Sequence, residues 1–276
     1  MKIDLSLRGL DQIAQSEWRK SASSATAVLE LNLMANRLSH LPDELAEFKN
    51  LQILNLAWNQ FSRIPDSVFQ LSNLTTLIIG KNSLESFDSR LFEMPSLRVL
   101  GLSGNRIPSL PTPKSEVSCL RELWLDNNQL REIPAAFLEK NSALVKLYLA
   151  GNQLEGLPDE LSGCKRLKVL DLSHNRLQSL PSRIGQLGEL SRLALQNNQL
   201  KALPHSLSLC QALNHLLIHE NSLESLPPGL FGLKHLQRID ASSNALESLP
   251  NAPTEESALE VLLLGKNQFK QIPPEI

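Results

Sequence analysis

Two histidines, His215 and His219, are spaced four residues apart in the stretch HLLIHEN and are of a residue type that binds zinc. On a helix, this spacing would place both imidazoles on one face, where they could bind one ion. The repeat register described below instead places this stretch on a strand. Four residues of strand separate the two side chains by about 13 Å, which is too far for a shared ion. We therefore expect surface histidines rather than a metal site.

Other arrangements typical of catalysis are missing from the sequence. There is no Gly-rich phosphate loop and no Gly-x-Ser-x-Gly motif, and the carboxylates are spread over the whole chain. The three cysteines, Cys119, Cys164 and Cys210, are widely separated and form no Cys-x-x-Cys pair. An odd number of separated thiols favours free cysteines in a reducing compartment, so we predict a cytoplasmic protein. We expect no enzymatic activity, no cofactor and no metal.

The composition gives no support to binding of nucleic acid or membrane. The formal net charge is −2, whereas nucleic-acid binding depends on a cationic surface. No segment approaches the ~18 continuous apolar residues of a membrane-spanning helix. Polar residues, among them Asp4 and Arg8, interrupt the first residues, unlike the apolar core of a secretory signal. Nucleic acid and membrane are therefore not among the predicted partners.

The most informative feature of the sequence is an internal repeat. The stretches LRELWLDNNQLREIP (120–134), LKVLDLSHNRLQSLP (167–181) and LSRLALQNNQLKALP (190–204) share the frame LxxLxLxxNxLxxLP. The asparagines of eleven copies are Asn36, Asn59, Asn82, Asn105, Asn128, Asn152, Asn175, Asn198, Asn221, Asn244 and Asn267. Each step is 23 residues, except for the 24 residues from Asn128 to Asn152. Chance does not produce such regular spacing.

This frame resembles the leucine-rich repeat family. The 23-residue length and the Leu-Pro ending are similar to the intracellular Ras-suppressor/Scribble subclass. The resemblance covers residues 28–276. It implies an α/β solenoid, a curved horseshoe with a concave parallel β-sheet and short helical, 3₁₀ or extended returns on the convex side. Arrays of this kind present their concave surface to partners.

The residue types of each copy predict the same architecture on physical grounds. The alternation in LxL predicts a short strand with inward leucines, and stacked copies form a parallel sheet with strands about 4.8 Å apart. An asparagine amide both donates and accepts hydrogen bonds, so it can satisfy backbone groups where the chain leaves the strand. One asparagine per copy forms a ladder. The proline can begin a helical return, because proline is tolerated at a first helical position.

The predicted domains are an N-terminal cap over residues 1–27 and eleven repeats over residues 28–276. The cap begins with a degenerate first coil and continues as a polar-faced helix with Trp18 turned inward. The inward residues predicted for the first coil are Ile3, Leu5, Leu10 and Ile13. The last repeat is incomplete and has no recognisable cap. This leaves three interpretations: the native chain continues, a partner or second copy covers the end, or the last coil frays.

The candidate binding residues follow from the strand register. If the first leucine is position 1, positions 3, 5 and 7 share the open face, and position 8 lies at its margin. Position 5 places Trp124 and Tyr148 on adjacent strands, and Trp58 falls at the margin of the second repeat. The charged residues around the two central aromatics are Glu122, Lys146, Arg192, His215 and Arg238 at position 3, Asp171 at position 5 and Asp126 at position 7. Such a composition is typical of protein-interface hot spots.

The sequence therefore predicts a cytoplasmic scaffold that binds a protein or peptide partner on its concave face. The basic residues at position 3 favour an acidic partner. One alternative is a sensor or targeting module of a larger signalling enzyme, such as a kinase, GTPase or ubiquitin ligase. A second alternative is that Trp124 and Tyr148 only stack across their strands and stabilise the sheet. The oligomeric state is not predicted.

Overall fold

The structure is a computed structural model that describes residues 1–13, 25–112, 118–250 and 257–271. The chain divides into two compact units, Met1–Gln129 and Leu130–Ile276. The predicted helix around Trp18 and the last five residues lie outside the described residues. Within the described part of the chain, no helix is long and apolar enough to cross a membrane.

Each unit contains short parallel strands that pair in chain order. The strands of the first unit are β1 (Lys2–Asp4), β2 (Glu30–Asn32), β3 (Ile53–Asn55), β4 (Thr76–Ile78), β5 (Val99–Gly101) and β6 (Glu122–Trp124). Those of the second unit are β7 (Lys146–Tyr148), β8 (Val169–Asp171), β9 (Arg192–Ala194), β10 (His215–Leu217), β11 (Arg238–Asp240) and β12 (Val261–Leu263). The central leucine or isoleucine of each strand is buried, except in β12, where Leu262 is half-buried. The predicted parallel sheet architecture is confirmed.

Among the described residues, the helical segments between the strands are short. In the first unit they are the 3₁₀ segments Ala25–Ala27, Asp43–Glu47, Asp66–Gln70 and Ser89–Glu93. The second unit has one α-helix, α1 (Ala135–Lys140), and the 3₁₀ segments Asp159–Gly163, Ile184–Gln186, His205–Leu209 and Leu230–Gly232. The proline was predicted at the first helical position of the return, but it lies one position earlier. Pro42 and Pro158 are extended N-cap residues, with φ of −68° and −76°. Proline in this conformation ends the preceding turn and leaves the return to begin at the next residue.

The first coil repeats the geometry of the others although its sequence is degenerate. Its strand β1 pairs with β2 in parallel, with Ile3 opposite Leu31. Ile3, Leu5 and Ile13 are buried, and Leu10 is half-buried. Arg8 replaces the asparagine of the repeat, and Asn36 of the next coil accepts hydrogen bonds from the N–H groups of Arg8 and Leu10. The next coil therefore supplies the polar contacts that the first coil lacks.

The repeated asparagine ties each coil to the preceding one. In the first unit, Oδ1 of Asn105 accepts a 3.0 Å hydrogen bond from the N–H of Leu84. Its Nδ2 donates to the carbonyl oxygens of Ile79 and Leu102, at 3.1 and 2.8 Å. In the second unit, Asn175 makes the same set of bonds with the N–H of Leu154 and the carbonyls of Leu149 and Leu172. Buried backbone groups that the strands leave unpaired are thus satisfied.

The residue before each asparagine, or before Arg8 in the first coil, has a left-handed backbone. Its φ lies between +53° and +71° at Leu7, Ala35, Trp58, Lys81, Gly104, Asn127, Gly151, His174, Asn197, Glu220, Ser243 and Lys266. This conformation is rare for residues other than glycine and asparagine. It turns the chain sharply away from the strand, and it leaves the position-8 side chain at the rim of the sheet. We call positions 7 to 10 of each coil the turn edge.

Candidate partner-binding face

The outward side chains of the strands, at positions 3 and 5, form what we call the strand face. Equal repeat positions pair between neighbouring strands, as Val99 does with Glu122 and Gly101 with Trp124. Each position therefore forms a row of side chains across the strands of its unit. The rows of the two units differ in chemistry.

Trp124 ends β6 and is half-buried on the strand face of the first unit. Its neighbour in the position-5 row is Gly101, and the next is Ile78. A Cβ at Gly101 would lie only 3.1 Å from Cε3 of Trp124 and 3.0 Å from Cδ1 of Ile78. The Trp124 ring and the Ile78 side chain therefore close over the bare glycine. Trp124 lies outside the leucine core, as predicted, but packs onto the sheet.

The indole Nε1 of Trp124 is buried and has no hydrogen-bond partner among the described residues. A buried donor without an acceptor costs about 1–3 kcal/mol. Neither this unpaired donor nor the packing of the ring on Gly101 was predicted from the repeat pattern. The glycine at position 5 of the preceding repeat was the available signal, since a side chain there would occupy the space of the ring.

Tyr148 ends β7, the first strand of the second unit, and is also half-buried. The division between the units falls between Gln129 and Leu130, so Trp124 and Tyr148 belong to different units. Their predicted stacking therefore stays a prediction. Glu122 and Asp126 lie in the first unit with Trp124, and Oδ2 of Asp126 accepts a 3.0 Å hydrogen bond from Oγ of Ser103.

The strand face of the second unit carries a row of basic side chains. In the strand register, Arg192 lies opposite His215, and His215 lies opposite Arg238. The register places the three side chains on consecutive strands about 4.8 Å apart. None of the three forms an ion pair within the described part of the chain. We call them the basic row; Lys146 occupies the same repeat position on β7.

The aspartates of this face accept hydrogen bonds from serines that follow their strands. Oδ1 of Asp171 accepts hydrogen bonds from the N–H and the Oγ of Ser173, at 3.0 and 2.7 Å. Asp240 makes the same pair of bonds with Ser242. Nδ1 of His219 lies 3.4 Å from Oδ2 of Asp240, close enough for an ion pair but not aligned as a hydrogen bond. These carboxylates have local partners and do not neutralise the basic row.

The described residues contain no group of three or more His, Cys, Asp or Glu side chains that could hold a metal ion. Cys164 and Cys210 are buried in the second unit, and burial raises the pKa of both thiols to about 11. A thiol is a nucleophile only as the thiolate, so at neutral pH these two side chains act as core packing.

Comparison with known protein families identifies the repeat. The Leucine rich repeat family matches residues 49–107, 118–177 and 211–269, and the family Leucine Rich repeats (2 copies) matches residues 95–140. A search of curated proteins found no match.

Solved structures of leucine-rich repeat proteins are similar to this chain. A leucine-rich repeat protein of Leptospira interrogans is 30% identical with a TM-score of 0.88, over 98% of this chain and 67% of that one. The ectodomain of the plant membrane receptor kinase GASSHO1/SCHENGEN3 from Arabidopsis thaliana, in complex with CASPARIAN STRIP INTEGRITY FACTOR 2, is 26% identical. Its TM-score is 0.71, and the match covers 100% of this chain but 42% of the receptor chain.

A third similar structure is a chain of an octameric complex of Latrophilin 3, Unc5D and the leucine-rich repeats of FLRT2. It is 25% identical with a TM-score of 0.70, over 87% of this chain and 80% of that one. The family matches cover more than half of the sequence, and the strands, asparagine ladder and short returns follow the repeat. This chain belongs to the leucine-rich repeat family.

Proposed function

We propose that this chain is a protein-interaction module without catalytic activity of its own, and that its strand face binds a protein or peptide partner. Stacked repeats of this kind commonly serve as binding surfaces. Two of the similar structures are complexes, one with CASPARIAN STRIP INTEGRITY FACTOR 2 and one with Latrophilin 3 and Unc5D. The proposed contact residues are Glu122, Trp124 and Asp126 in the first unit and Lys146, Tyr148, Asp171, Arg192, His215 and Arg238 in the second.

The observation that carries this proposal is the basic row. Arg192 and Arg238 lie on either side of His215 in the position-3 row, and no carboxylate of the described residues pairs with any of the three. Folding alone therefore gives no reason for this arrangement. A partner segment with several carboxylates would form charge-assisted hydrogen bonds with the two guanidinium groups. We therefore favour an acidic segment as the partner of the second unit.

Trp124 supports a contact role in the first unit. It offers a large, partly exposed aromatic surface that Gly101 and Ile78 hold in place. Rigid aromatic side chains of this kind are frequent hot spots, because little conformational entropy is lost on binding.

The experiment begins with affinity capture of the partner from lysate of the source cells and continues with its dissociation constant for each variant. We expect Trp124→Ala to weaken binding by about 30-fold, the effect of losing a hot spot worth roughly 2 kcal/mol. The double variant Arg192→Ala/Arg238→Ala should weaken binding and reduce its dependence on salt, because long-range attraction is screened by ions.

Matched controls lie outside the strand face. Arg176→Ala/Arg183→Ala removes two exposed arginines of the same unit, and Leu209→Ala removes an apolar side chain that is 61% exposed on a 3₁₀ segment. Both controls should bind like the wild type. Unchanged binding of the Trp124 and arginine variants would refute the strand-face proposal. A Trp124→Ala variant that is less stable but binds normally would support the stacking interpretation instead.

A second candidate function is the recognition part of a larger signalling enzyme. The similarity to a receptor kinase ectodomain favours it. In that case, the endogenous protein detected with an antibody against this chain would be much larger than the chain itself. An endogenous species of the size of this chain would require the enzyme to be a separate partner.

A further inference from the structure

A cluster of exposed apolar side chains lies on the turn edge of the first unit, at positions 7 and 8 of its first three coils. The exposed fractions are 82% for Leu7, 37% for Met34 and 55% for Trp58. The N–H of Leu7 donates to the carbonyl of Met34, and the N–H of Ala35 donates to the carbonyl of Ala57. These residues therefore occupy consecutive coils. We call Leu7, Met34, Ala35 and Trp58 the turn-edge cluster.

The fold gives no reason for large apolar residues at these positions. Leu7 and Trp58 both have a φ of +58°, a backbone conformation that bulky residues rarely adopt. In the other coils, position 8 carries only small or polar residues, which are Ala, Gly, Lys, Asn, His, Glu and Ser. Neither Leu7 nor Trp58 gains burial in exchange. Exposed apolar groups that are contiguous mark interaction sites.

A small side chain separates the two large ones of the cluster, and we call the space above it the notch. Ala35 lies between Leu7 and Trp58 in the position-8 row, and its methyl group fills little of the space between them. Two coil spacings separate the backbones of Leu7 and Trp58, which amounts to about 10 Å. This gap is wide enough for one aliphatic side chain of a partner, which Leu7, Trp58 and Met34 would contact.

The charge around the notch is positive. The turn edges of the six coils of the first unit, at residues 6–9, 34–37, 57–60, 80–83, 103–106 and 126–129, contain four basic residues and one acidic residue, Asp126, whose Oδ2 accepts a hydrogen bond from Oγ of Ser103. Lys81 is the nearest beyond Trp58, with its Nζ 5.6 Å from the centre of the indole ring. Its stem passes over Gly104, where a Cβ would lie 2.6 Å from Cδ of the lysine. Among the described residues, Lys81 has no ion-pair partner.

We propose that the turn-edge cluster binds an extended segment of a partner protein that carries an aliphatic side chain and a carboxylate three residues apart. The aliphatic side chain enters the notch above Ala35, and the carboxylate pairs with Lys81. The backbones of Ala35 and Lys81 are two coils, or about 10 Å, apart. In a polyproline II segment, which has three residues per turn and rises about 3.1 Å per residue, residues i and i+3 point to the same side and span a similar distance. This surface is separate from the strand face and does not depend on the function proposed there.

The test uses synthetic peptides and the full chain labelled with 5-fluorotryptophan. The ¹⁹F resonance of Trp58 is assigned with the variant Trp58→Phe. Peptides containing Leu-Ser-Gly-Glu or Glu-Ser-Gly-Leu are titrated to millimolar concentration. We expect one of the two orders to shift the Trp58 resonance and to leave that of Trp124 unchanged. The peptide Leu-Ser-Gly-Lys, or its reverse, should bind about tenfold more weakly, because it loses the charge-assisted contact.

A charge exchange provides the decisive variant. Lys81→Glu should reverse the preference, so that the lysine peptide binds better than the glutamate peptide. The matched control is Lys266→Glu, which changes a lysine at the same repeat position with the same left-handed backbone, φ +57°, in the last coil. This control should behave like the wild type. Both positions are exposed, so neither variant is expected to impair folding.

Three results would overturn the proposal. The first is an unshifted Trp58 resonance with every peptide. The second is an equal response to the glutamate and lysine peptides, which would contradict the assigned partner chemistry. The third is concentration-dependent self-association in sedimentation that Trp58→Ser abolishes, which would show that a second copy of the chain occupies the cluster.

Discussion

The two units are built on one repeat but expose different residues on their strand faces. In the first unit, the position-3 and position-5 rows include Ile53, Val99 and Trp124. The basic side chain of Lys2 in this unit forms an ion pair with Glu30, with 2.7 Å between Nζ and Oε1. In the second unit, the same positions carry Arg192 and Arg238, which have no ion pair within the described residues. The repeat constrains the inward leucines and the asparagine, but it leaves the outward positions free. The strand faces of the two units can therefore differ while the scaffold stays the same.

We propose that the two units contribute differently to binding. An apolar surface with a fixed aromatic side chain contributes affinity when water is removed from it. A row of unpaired basic side chains contributes specificity and speeds the encounter with an acidic partner. The turn edge of the first unit is also the more apolar one. Leu7 and Trp58 lie there, whereas no large apolar residue occupies position 8 in the second unit. Three sets of substitutions test how far the two units are alike beneath these surfaces.

The largest expected effect concerns the scaffold that the units share. Asn105→Ala in the first unit and Asn175→Ala in the second should each lower the free energy of unfolding by about 2–4 kcal/mol. The reason is that the N–H groups of Leu84 and Leu154 would lose their acceptors inside the protein. Urea unfolding measures the loss, and hydrogen exchange shows in which unit the protection falls.

Asn73→Ala and Asn214→Ala are the matched controls, one in each unit. Their side chains donate one exposed hydrogen bond each, to the carbonyls of Lys49 and His235. We expect losses below about 0.5 kcal/mol. A loss for Asn105→Ala no larger than that of its control would contradict the role of the ladder. Unequal losses for the two ladder variants would show that the scaffolds of the units are not equivalent.

The sequence was sufficient to predict the strands, the order in which they pair and the family, because these depend on a pattern repeated along the chain. It was also sufficient to place Trp124 outside the core. It did not reveal how Trp124 packs on Gly101, since that contact depends on the residue of a neighbouring coil rather than on the repeat. The hydrogen bonds of Asp171 to Ser173 were missed for a similar reason. Whether the strand face binds a partner stays a proposal.

The second prediction concerns one core position that differs between the units. Six residues after the position of the proline, the first unit carries Phe48, Leu71 and Met94, whereas the second unit alternates Cys164 and Cys210 with Leu187 and Leu233. Burial raises the pKa of both thiols from 9.0 to about 11. Between these pH values the unfolded chain loses thiol protons that the folded chain retains. The free energy of unfolding therefore falls as the pH rises, by about 2 kcal/mol per thiol at pH 11.

Urea unfolding at several pH values between 8 and 11 measures this dependence. The double variant Cys164→Ala/Cys210→Ala should show a smaller slope above pH 9, whatever its stability at neutral pH. Leu187→Met, a substitution at the same slot of the intervening coil, introduces no ionisable group and should leave the slope unchanged. An identical slope in the double variant and the wild type would show that other groups cause the loss of stability at high pH.

The smallest expected effect separates the packing of Trp124 from its binding. Gly101→Val adds a branched side chain where a Cβ alone would lie 3.1 Å from Cε3 of Trp124. The end methyl of Ile78 can rotate away, but the indole ring must move as a whole. We expect a loss of about 1–2 kcal/mol in the free energy of unfolding and a shift of the Trp124 fluorescence towards that of an exposed indole.

The matched substitution in the second unit is Gly265→Val, because a Cβ at Gly265 has no heavy atom within 4 Å. It should change the free energy of unfolding by less than about 0.5 kcal/mol. Gly101→Val moves the indole ring but leaves Trp124 in the sequence. If this variant also weakens partner binding, the partner recognises the position of the ring. If binding persists with the ring displaced, Trp124 serves the sheet of the first unit, and the contacts of the second unit carry recognition.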